Sequence, residues 1–147
     1  MKLVNEDSVI FAEKQYTKRE LFESVCNQLA KSGILSDASE VVKQLLEREE
    51  ISDTRIDDLI AMPHCESSAV IFPKIILVNC RKFPIFWDHD VMVTGTVFLF
   101  IPTSDADEIK EIPHFVKKLA DPDVTKELFE SDNRTQFIAD VHSFERR

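Results

Sequence analysis

One histidine of the sequence follows a short apolar run, at a point where its imidazole can react with molecules outside the core. The run Leu59–Met62 is followed by Pro63 and then by His64. If the run is a strand, Pro63 ends its hydrogen-bonded ladder because proline has no backbone N–H, and we expect His64 to enter a turn at the strand's edge. With an ordinary pKa near ~6.5, a large fraction of such an imidazole is neutral at neutral pH and can act as a nucleophile or as a base.

The surrounding sequence distinguishes the other three histidines. His114 follows Pro113 at a predicted helix start, where free backbone N–H groups suit an anionic phosphoryl group. His89 lies between two aspartates, whose carboxylates raise its proton affinity, and His142 lies in a polar terminus. We therefore expect a site role for His114 and only structural or solvent-exposed roles for His89 and His142.

An arginine on a predicted helix adds positive charge to this pair of histidines. Arg48 follows Val41 and Leu45 at helical spacing, so we expect its side chain to lie along the packed side of the helix. Its guanidinium would offer a planar fork of donors to phosphate oxygens. His64, His114 and Arg48 together predict a small site with one nucleophile and two supporting donors.

Zinc binding and thiol chemistry are two alternatives for the same part of the chain. The zinc ligands available are His64, Cys65, Cys80, His89 and His114, but their spacings match no compact zinc pattern. Adjacent residues diverge in an extended segment, which separates His64 from Cys65. A basic neighbour could lower the pKa of the Cys65 thiol, yet no third, orienting residue is evident. We expect no metal and interpret Cys65 as a small residue in the wall of the site.

Composition narrows the classes of function. The 147 residues, 44% of them apolar, suffice for a single domain over residues 1–147. The only glycines, Gly33 and Gly95, cannot form a glycine-rich phosphate loop. With 27 acidic and 18 basic residues, a net charge of −9 and no basic cluster, the chain is not expected to bind nucleic acid. Its charge favours rapid encounter with a basic protein partner.

Cysteine usage and hydropathy bear on the cellular compartment. Cys26, Cys65 and Cys80 are odd in number and show no CxxC spacing, as is typical of free thiols in a reducing cytosol. Residues Met1–Asp7 contain no apolar segment of signal-peptide length, and the longest apolar run, Val97–Ile101, is too short to cross a bilayer. We expect a cytoplasmic protein without membrane insertion.

The first part of the chain predicts two amphipathic helices. Thr17 and Glu20 form a capping-box pair ahead of apolar residues at helical spacing, and Gly33 closes that segment. Asp37 and Glu40 repeat the start signal for a second helix.

The middle of the chain changes to strand patterns and the end returns to helices. Lys74–Cys80 and Val91–Ile101 predict two largely buried strands, with Trp87 anchoring a short segment between them. Helical spacing resumes in Ile109–Leu119, where Pro113 marks a helix start or a kink, and the tail predicts one or two closing helices. This order favours an α/β single domain whose mixed sheet is sandwiched between helices on both faces.

Five segments in a fixed order carry a family resemblance: Leu45–Glu49, Ile60–His64, Pro73–Ile75, Pro84–Trp87 and Val97–Phe100. Together they resemble the type-2 enzyme IIA domain, mannitol/fructose-like, of the phosphoenolpyruvate-dependent sugar phosphotransferase system. The similarity runs over nearly all of the chain, and Pro63–Glu66 resembles galactitol-type members. Asp57 and Asp58 stand where many members carry glycine.

The resemblance implies a phosphohistidine relay. The carrier HPr would donate a phosphoryl group to His64, and His64 would pass it to a cysteine of enzyme IIB, so that a sugar is phosphorylated as it enters. Arg48 matches the family's active-site arginine and His114 its second histidine. The resemblance implies no metal or nucleotide cofactor, and contact with the membrane only through enzymes IIB and IIC.

Two other functions are compatible with the same residues. In the first, the chain is a regulatory enzyme IIA-like domain of a sugar-operon transcriptional activator or antiterminator, and phosphorylation of His64 changes domain contacts. In the second, it is a small-molecule binding domain without turnover, in which His64 contacts the ligand.

Overall fold

A mixed β-sheet forms the centre of the structure, a computed structural model that describes residues 4–88, 91–103 and 111–146. Among these residues the strands run β1 Val9–Phe11, β2 Arg55–Asp57, β3 Ile60–Ala61, β4 His64–Ser67, β5 Lys74–Asn79, β6 Ile85–Asp88, β7 Val91–Val93 and β8 Gly95–Pro102. The main sheet has the order β1-β5-β8-β3-β2, and β4 also pairs with β8. Strands β6 and β7 form a separate two-stranded sheet. His89 lies outside the described residues.

Helices cover both faces of the sheet. They are α1 Lys18–Lys31, α2 Ala38–Ile51, α3 Glu111–Lys118, α4 Pro122–Leu128 and α5 Arg134–Glu145, and a 3-10 turn, Glu6–Ser8, precedes β1. Alternate residues of β5 divide between two cores: Ile76 and Val78 pack with α1 and α2, whereas Ile75 and Leu77 pack with α3, α4 and α5. The predicted α/β fold with a mixed sheet between helix layers is confirmed.

The predicted caps of the first two helices are present. The Thr17 side chain accepts from the Glu20 N–H at 3.1 Å, and the Glu20 carboxylate accepts from the Thr17 N–H at 2.9 Å. Asp37 accepts from the Glu40 N–H at 3.1 Å and begins α2. Gly33 follows α1 with a φ of 78°, a left-handed conformation that glycine adopts without steric cost.

The region Val91–Ile101 is two strands, so the prediction of one long strand is wrong. The ladder breaks at Thr94, where the backbone N–H groups of Thr94 and Gly95 both donate to the Leu59 carbonyl, at 2.8 and 3.3 Å. β7 then pairs with β6, and β8 enters the main sheet. Trp87 of β6 anchors this small sheet as predicted, because it is 2% exposed and meets Phe22 edge to face at 5.6 Å.

The chain end and the turn before the site also follow simple local rules. Helix α3 begins just before Pro113, which a first turn tolerates, and two closing helices follow. Between β2 and β3 the turn needs no glycine. The Asp57 carboxylate accepts from the Leu59 N–H at 3.3 Å, and the described residues contain no non-glycine residue with positive φ.

Gly95 supplies a test of the packing between β8 and the α4 end. A Cβ at this position would overlap the Phe129 ring, whereas a Cβ at Gly33 would meet open space. We expect Gly95→Ala to lower the free energy of unfolding by about 1–3 kcal/mol through overpacking, measured by urea denaturation. The same change in a Phe129→Ala background should cost much less; an equal cost in both backgrounds would contradict this assignment.

Candidate functional site

The candidate nucleophile, His64, opens a strand whose register continues across a proline. Ala61 pairs with Thr96 and His64 pairs with Leu99, so β3 and β4 run beside β8 without a shift. Pro63 interrupts only the donation, since it has no N–H, and its carbonyl still accepts from the Leu99 N–H at 2.9 Å. The prediction that His64 enters a turn is therefore wrong, because removing one donor does not end the pairing.

Strand alternation directs His64 away from its neighbour Cys65. Cys65 belongs to the core under α1 and α2, whereas Ile60 and Leu99 belong to the core under α3, α4 and α5. His64 lies an even number of residues after Ile60 and pairs with Leu99. Its side chain therefore leaves the same face of the sheet as theirs, the α3 side. It is half-buried there, with part of its surface open to solvent.

One hydrogen bond assigns the tautomer of His64. Its Nδ1 lies 3.0 Å from the carbonyl oxygen of Met62. A carbonyl can only accept, so Nδ1 carries the proton and the lone pair of the neutral ring is on Nε2. The ring thus presents Nε2 as its nucleophilic atom.

The two predicted supporting residues lie on helices that cover opposite faces of the sheet. His114 is exposed in the first turn of α3, on the side that His64 faces. Arg48 is half-buried near the end of α2, where its Nη1 donates to the Ser52 carbonyl at 2.9 Å and to the Ser52 hydroxyl at 3.3 Å. No hydrogen bond or ion pair of the described residues joins His64, His114 and Arg48 to one another.

Sequence reasoning missed a carboxylate beside Arg48. One oxygen of Glu49 accepts from the Thr54 hydroxyl at 2.5 Å, and the other accepts from Trp87 Nε1 at 3.0 Å. The Thr54 carbonyl in turn accepts from the Met62 N–H at 2.9 Å. Glu49 stands in the Leu45–Glu49 segment, but neither of its partners is near it in helical spacing, so no local pattern marks it.

A comparison with protein families decides the class of this chain. The model described as "Phosphoenolpyruvate-dependent sugar phosphotransferase system, EIIA 2" matches residues 2–142. The chain belongs to this family. The resemblance drawn from the five sequence segments is confirmed, and the EIIA domains of this system are phosphotransfer components.

One known relative of the EIIA 2 chain is a fructose-specific component of this system. The PTS system fructose-specific EIIABC component of Bacillus subtilis (strain 168) is 24% identical over 123 residues, which cover 82% of this chain and 19% of the relative. The chain therefore spans about a fifth of that relative's length.

Two solved structures share the fold. The complex of enzyme IIAMTL and phosphorylated enzyme IIBMTL from Escherichia coli matches with a TM-score of 0.72 and 20% identity, over 99% of this chain and 97% of that chain. The nitrogen regulatory protein IIA-Ntr from Neisseria meningitidis matches with a TM-score of 0.71 and 19% identity, over 95% and 96%. At these identities the likeness establishes the fold alone.

The thiol next to His64 in this EIIA 2 chain is held neutral. Cys65 is buried and donates to the Gln44 side-chain oxygen at 3.0 Å. Burial, followed by the negative charge of Glu40, raises the pKa of Cys65 to about 11. A thiol is a weak nucleophile compared with a thiolate. Because Cys65 faces the core under α1 and α2, away from His64, the interpretation of Cys65 as part of the site wall is wrong.

Two further findings concern metals and membranes. Within residues 4–88, 91–103 and 111–146, no three His, Cys, Asp or Glu side chains are grouped so that they could hold a metal ion. The helices of the same part of the chain include none that is both long and apolar enough to cross a bilayer.

The raised thiol pKa values predict slow reaction with a disulfide reagent. Burial also raises the pKa of Cys26 and of Cys80 to about 12. At pH 8 the folded protein should therefore release the colour of Ellman's reagent at least about a hundredfold more slowly than the protein unfolded in guanidinium. A rapid phase of one equivalent in the folded protein, absent from Cys65→Ser, would show an exposed, reactive Cys65 instead.

Proposed function

We propose that this EIIA 2 chain is a phosphocarrier for sugar uptake, which accepts a phosphoryl group from phospho-HPr on Nε2 of His64. It passes the group to a cysteine of an enzyme IIB. The observation that carries the proposal is the Nδ1 hydrogen bond to Met62, because it leaves Nε2 as the free lone pair of a partly exposed imidazole.

The transfer consists of two successive displacements at phosphorus. In the first, the Nε2 lone pair of His64 forms an N–P bond while the N–P bond to the donor histidine of HPr breaks, and its electron pair returns to the donor ring. In the second, a thiolate of enzyme IIB forms an S–P bond and the pair of the breaking N–P bond returns to Nε2. Such transfers depend mainly on in-line positioning and charge stabilisation.

The Met62 carbonyl also suits the phosphorylated state. With phosphorus on Nε2 and a proton on Nδ1, the His64 ring is cationic. The hydrogen bond from Nδ1 to the carbonyl oxygen then becomes charge-assisted, and such bonds are about twice as strong as neutral ones. The same contact thereby orients the nucleophile before transfer and stabilises the ring afterwards.

His114 and Arg48 are the groups we assign to the phosphoryl oxygens. His114 lies in the first turn of α3, where backbone N–H groups without helical partners favour an anion. Arg48 would exchange its Ser52 acceptors for phosphoryl oxygens when the group arrives. Their role is to stabilise charge that develops during transfer.

Charge and exposed apolar residues support a protein partner. The chain carries a net charge of −9, which speeds encounter with a basic carrier. Ile56 and Leu59, on the hairpin that leads to His64, are 39% and 41% exposed. Exposed apolar side chains beside a reactive group suit a transient docking surface.

We assign residues 1–147 to a single enzyme IIA domain that works in the cytoplasm. It would contact the membrane only indirectly, through enzymes IIB and IIC.

The regulatory alternative uses the same first step and differs in the second. A regulatory domain would keep the phosphoryl group on His64 as a signal, whereas a transport carrier would release it to enzyme IIB. The fold is shared with both the mannitol complex and the nitrogen regulatory protein, so onward transfer is the property that separates the two.

The acceptance step is tested with phosphoenolpyruvate, enzyme I and HPr. We expect intact mass to show one acid-labile phosphoryl group, and His64→Ala to abolish it because the nucleophile is gone. His142→Gln is the matched control, since His142 pairs with Glu145 at 3.6 Å and takes no part in the mechanism. Normal labelling of His64→Ala would overturn the assignment of the nucleophile.

The roles of the two site histidines are separated by single-turnover rates. His114→Ala should still accept the phosphoryl group from HPr, but it should release the group to enzyme IIB about a hundredfold more slowly. This is the size of effect seen when one transition-state donor is lost. Equal loss of acceptance in His64→Ala and His114→Ala would contradict this division. A wild-type phosphoprotein that no enzyme IIB discharges would favour the regulatory alternative.

A further inference from the structure

We infer that Glu49 is a positioning residue for His64, acting through Thr54 and Met62. The inference rests on the proposed function, because it assigns to Glu49 the control of which imidazole nitrogen is available for phosphoryl transfer. It is carried by three consecutive hydrogen bonds, which join Glu49 to Thr54, Thr54 to Met62 and Met62 to His64.

The series begins with a carboxylate whose two oxygens are both used. Glu49 accepts from the Thr54 hydroxyl at 2.5 Å and from Trp87 Nε1 at 3.0 Å. Trp87 is 2% exposed and packed against Phe22, so it is a rigid support. Hydrogen bonds to an ionised acceptor are among the stronger ones in proteins. Glu49 thus ties residue 54 to a fixed part of the core.

The second contact transfers this constraint to the strand that precedes His64. Thr54 is 6% exposed, and its carbonyl accepts from the Met62 N–H at 2.9 Å. That bond extends the antiparallel pairing of β2 with β3, in which Arg55 lies opposite Ala61. A shift of Thr54 therefore moves or frees the backbone of Met62.

The third step fixes the direction of the Met62 carbonyl. A residue before proline is restricted to extended conformations, and Pro63 is itself held because its carbonyl accepts from the Leu99 N–H at 2.9 Å. With the Met62 N–H bound to Thr54 on one side and Pro63 bound to β8 on the other, the carbonyl between them has one orientation. That carbonyl is the acceptor of His64 Nδ1.

Loss of the placed Met62 carbonyl would change the tautomer of His64. Without a placed acceptor at Nδ1, the neutral His64 ring can carry its proton on either nitrogen, and the form protonated on Nε2 has no lone pair at the reacting atom. A residue that only supports folding would change stability without changing this proton distribution. The ¹⁵N chemical shifts of the His64 ring therefore distinguish positioning from a purely structural role.

The experiment compares four variants in ¹⁵N-labelled protein of residues 1–147, at a pH where the His64 ring is neutral. Thr54→Val removes the hydroxyl and keeps the shape, whereas Thr54→Ser restores the donor. Glu49→Gln removes one acceptor and the charge. The matched control is Glu47→Gln, the same chemical change on the same helix. The Glu47 side chain is 59% exposed, and its carboxylate lies 3.9 Å from the Lys43 ammonium, outside the series that leads to His64.

We expect the wild type, Thr54→Ser and Glu47→Gln to show a single His64 form with the proton on Nδ1. Thr54→Val and Glu49→Gln should show a mixture of the two forms and accept the phosphoryl group about fivefold more slowly, as loss of one hydrogen bond implies. Amide spectra of each variant establish that it is folded, and if Thr54→Val unfolds, the comparison rests on Glu49→Gln against Glu47→Gln.

Two results would overturn the inference. One is an unchanged proton distribution in folded Thr54→Val and Glu49→Gln; the other is an equal change in Glu47→Gln. Because the ring shifts are read without HPr, this failure is separate from a failure of the proposed function. A wild type that HPr does not label, but whose His64 form responds to Thr54→Val, would leave the positioning intact and remove the relay.

Discussion

The site depends on one hydrogen bond, from Nδ1 of His64 to the carbonyl of Met62. It determines which nitrogen of the neutral ring holds the lone pair, and hence the atom that we propose attacks phosphorus. The acceptor is well placed because Pro63 restricts the residue before it while leaving the register with β8 intact. A proline in a strand usually destabilises the sheet, and here it orients the backbone next to the candidate nucleophile, His64.

The sheet then separates reactive from inert chemistry by alternation. His64 and Cys65 are adjacent in sequence, but their side chains leave opposite faces of β4. Cys65 enters the core under α1 and α2, where burial keeps its thiol protonated, whereas His64 stays partly exposed on the α3 face. One strand therefore carries a buried, neutral thiol on one face and the candidate nucleophile on the other.

Local signals predicted the elements whose causes are local. The caps at Thr17 and Asp37 were evident from neighbouring residues. The break at Thr94 was not, because it follows from the contact of Gly95 with Phe129 and from pairing with Leu59, which are distant in sequence. For the same reason the sequence does not predict the contacts of Glu49 with Thr54 and Trp87, because these residues meet only when α2, β3 and β6 pack together.

The most direct test of the account is the position of phosphorus on the imidazole ring. The ³¹P and ¹⁵N spectra of the protein labelled through phosphoenolpyruvate, enzyme I and HPr distinguish the two phosphohistidine isomers. The account predicts phosphorus on Nε2 of His64, with the proton retained on Nδ1 and bonded to Met62. Phosphorus on Nδ1, or on another residue, would contradict it.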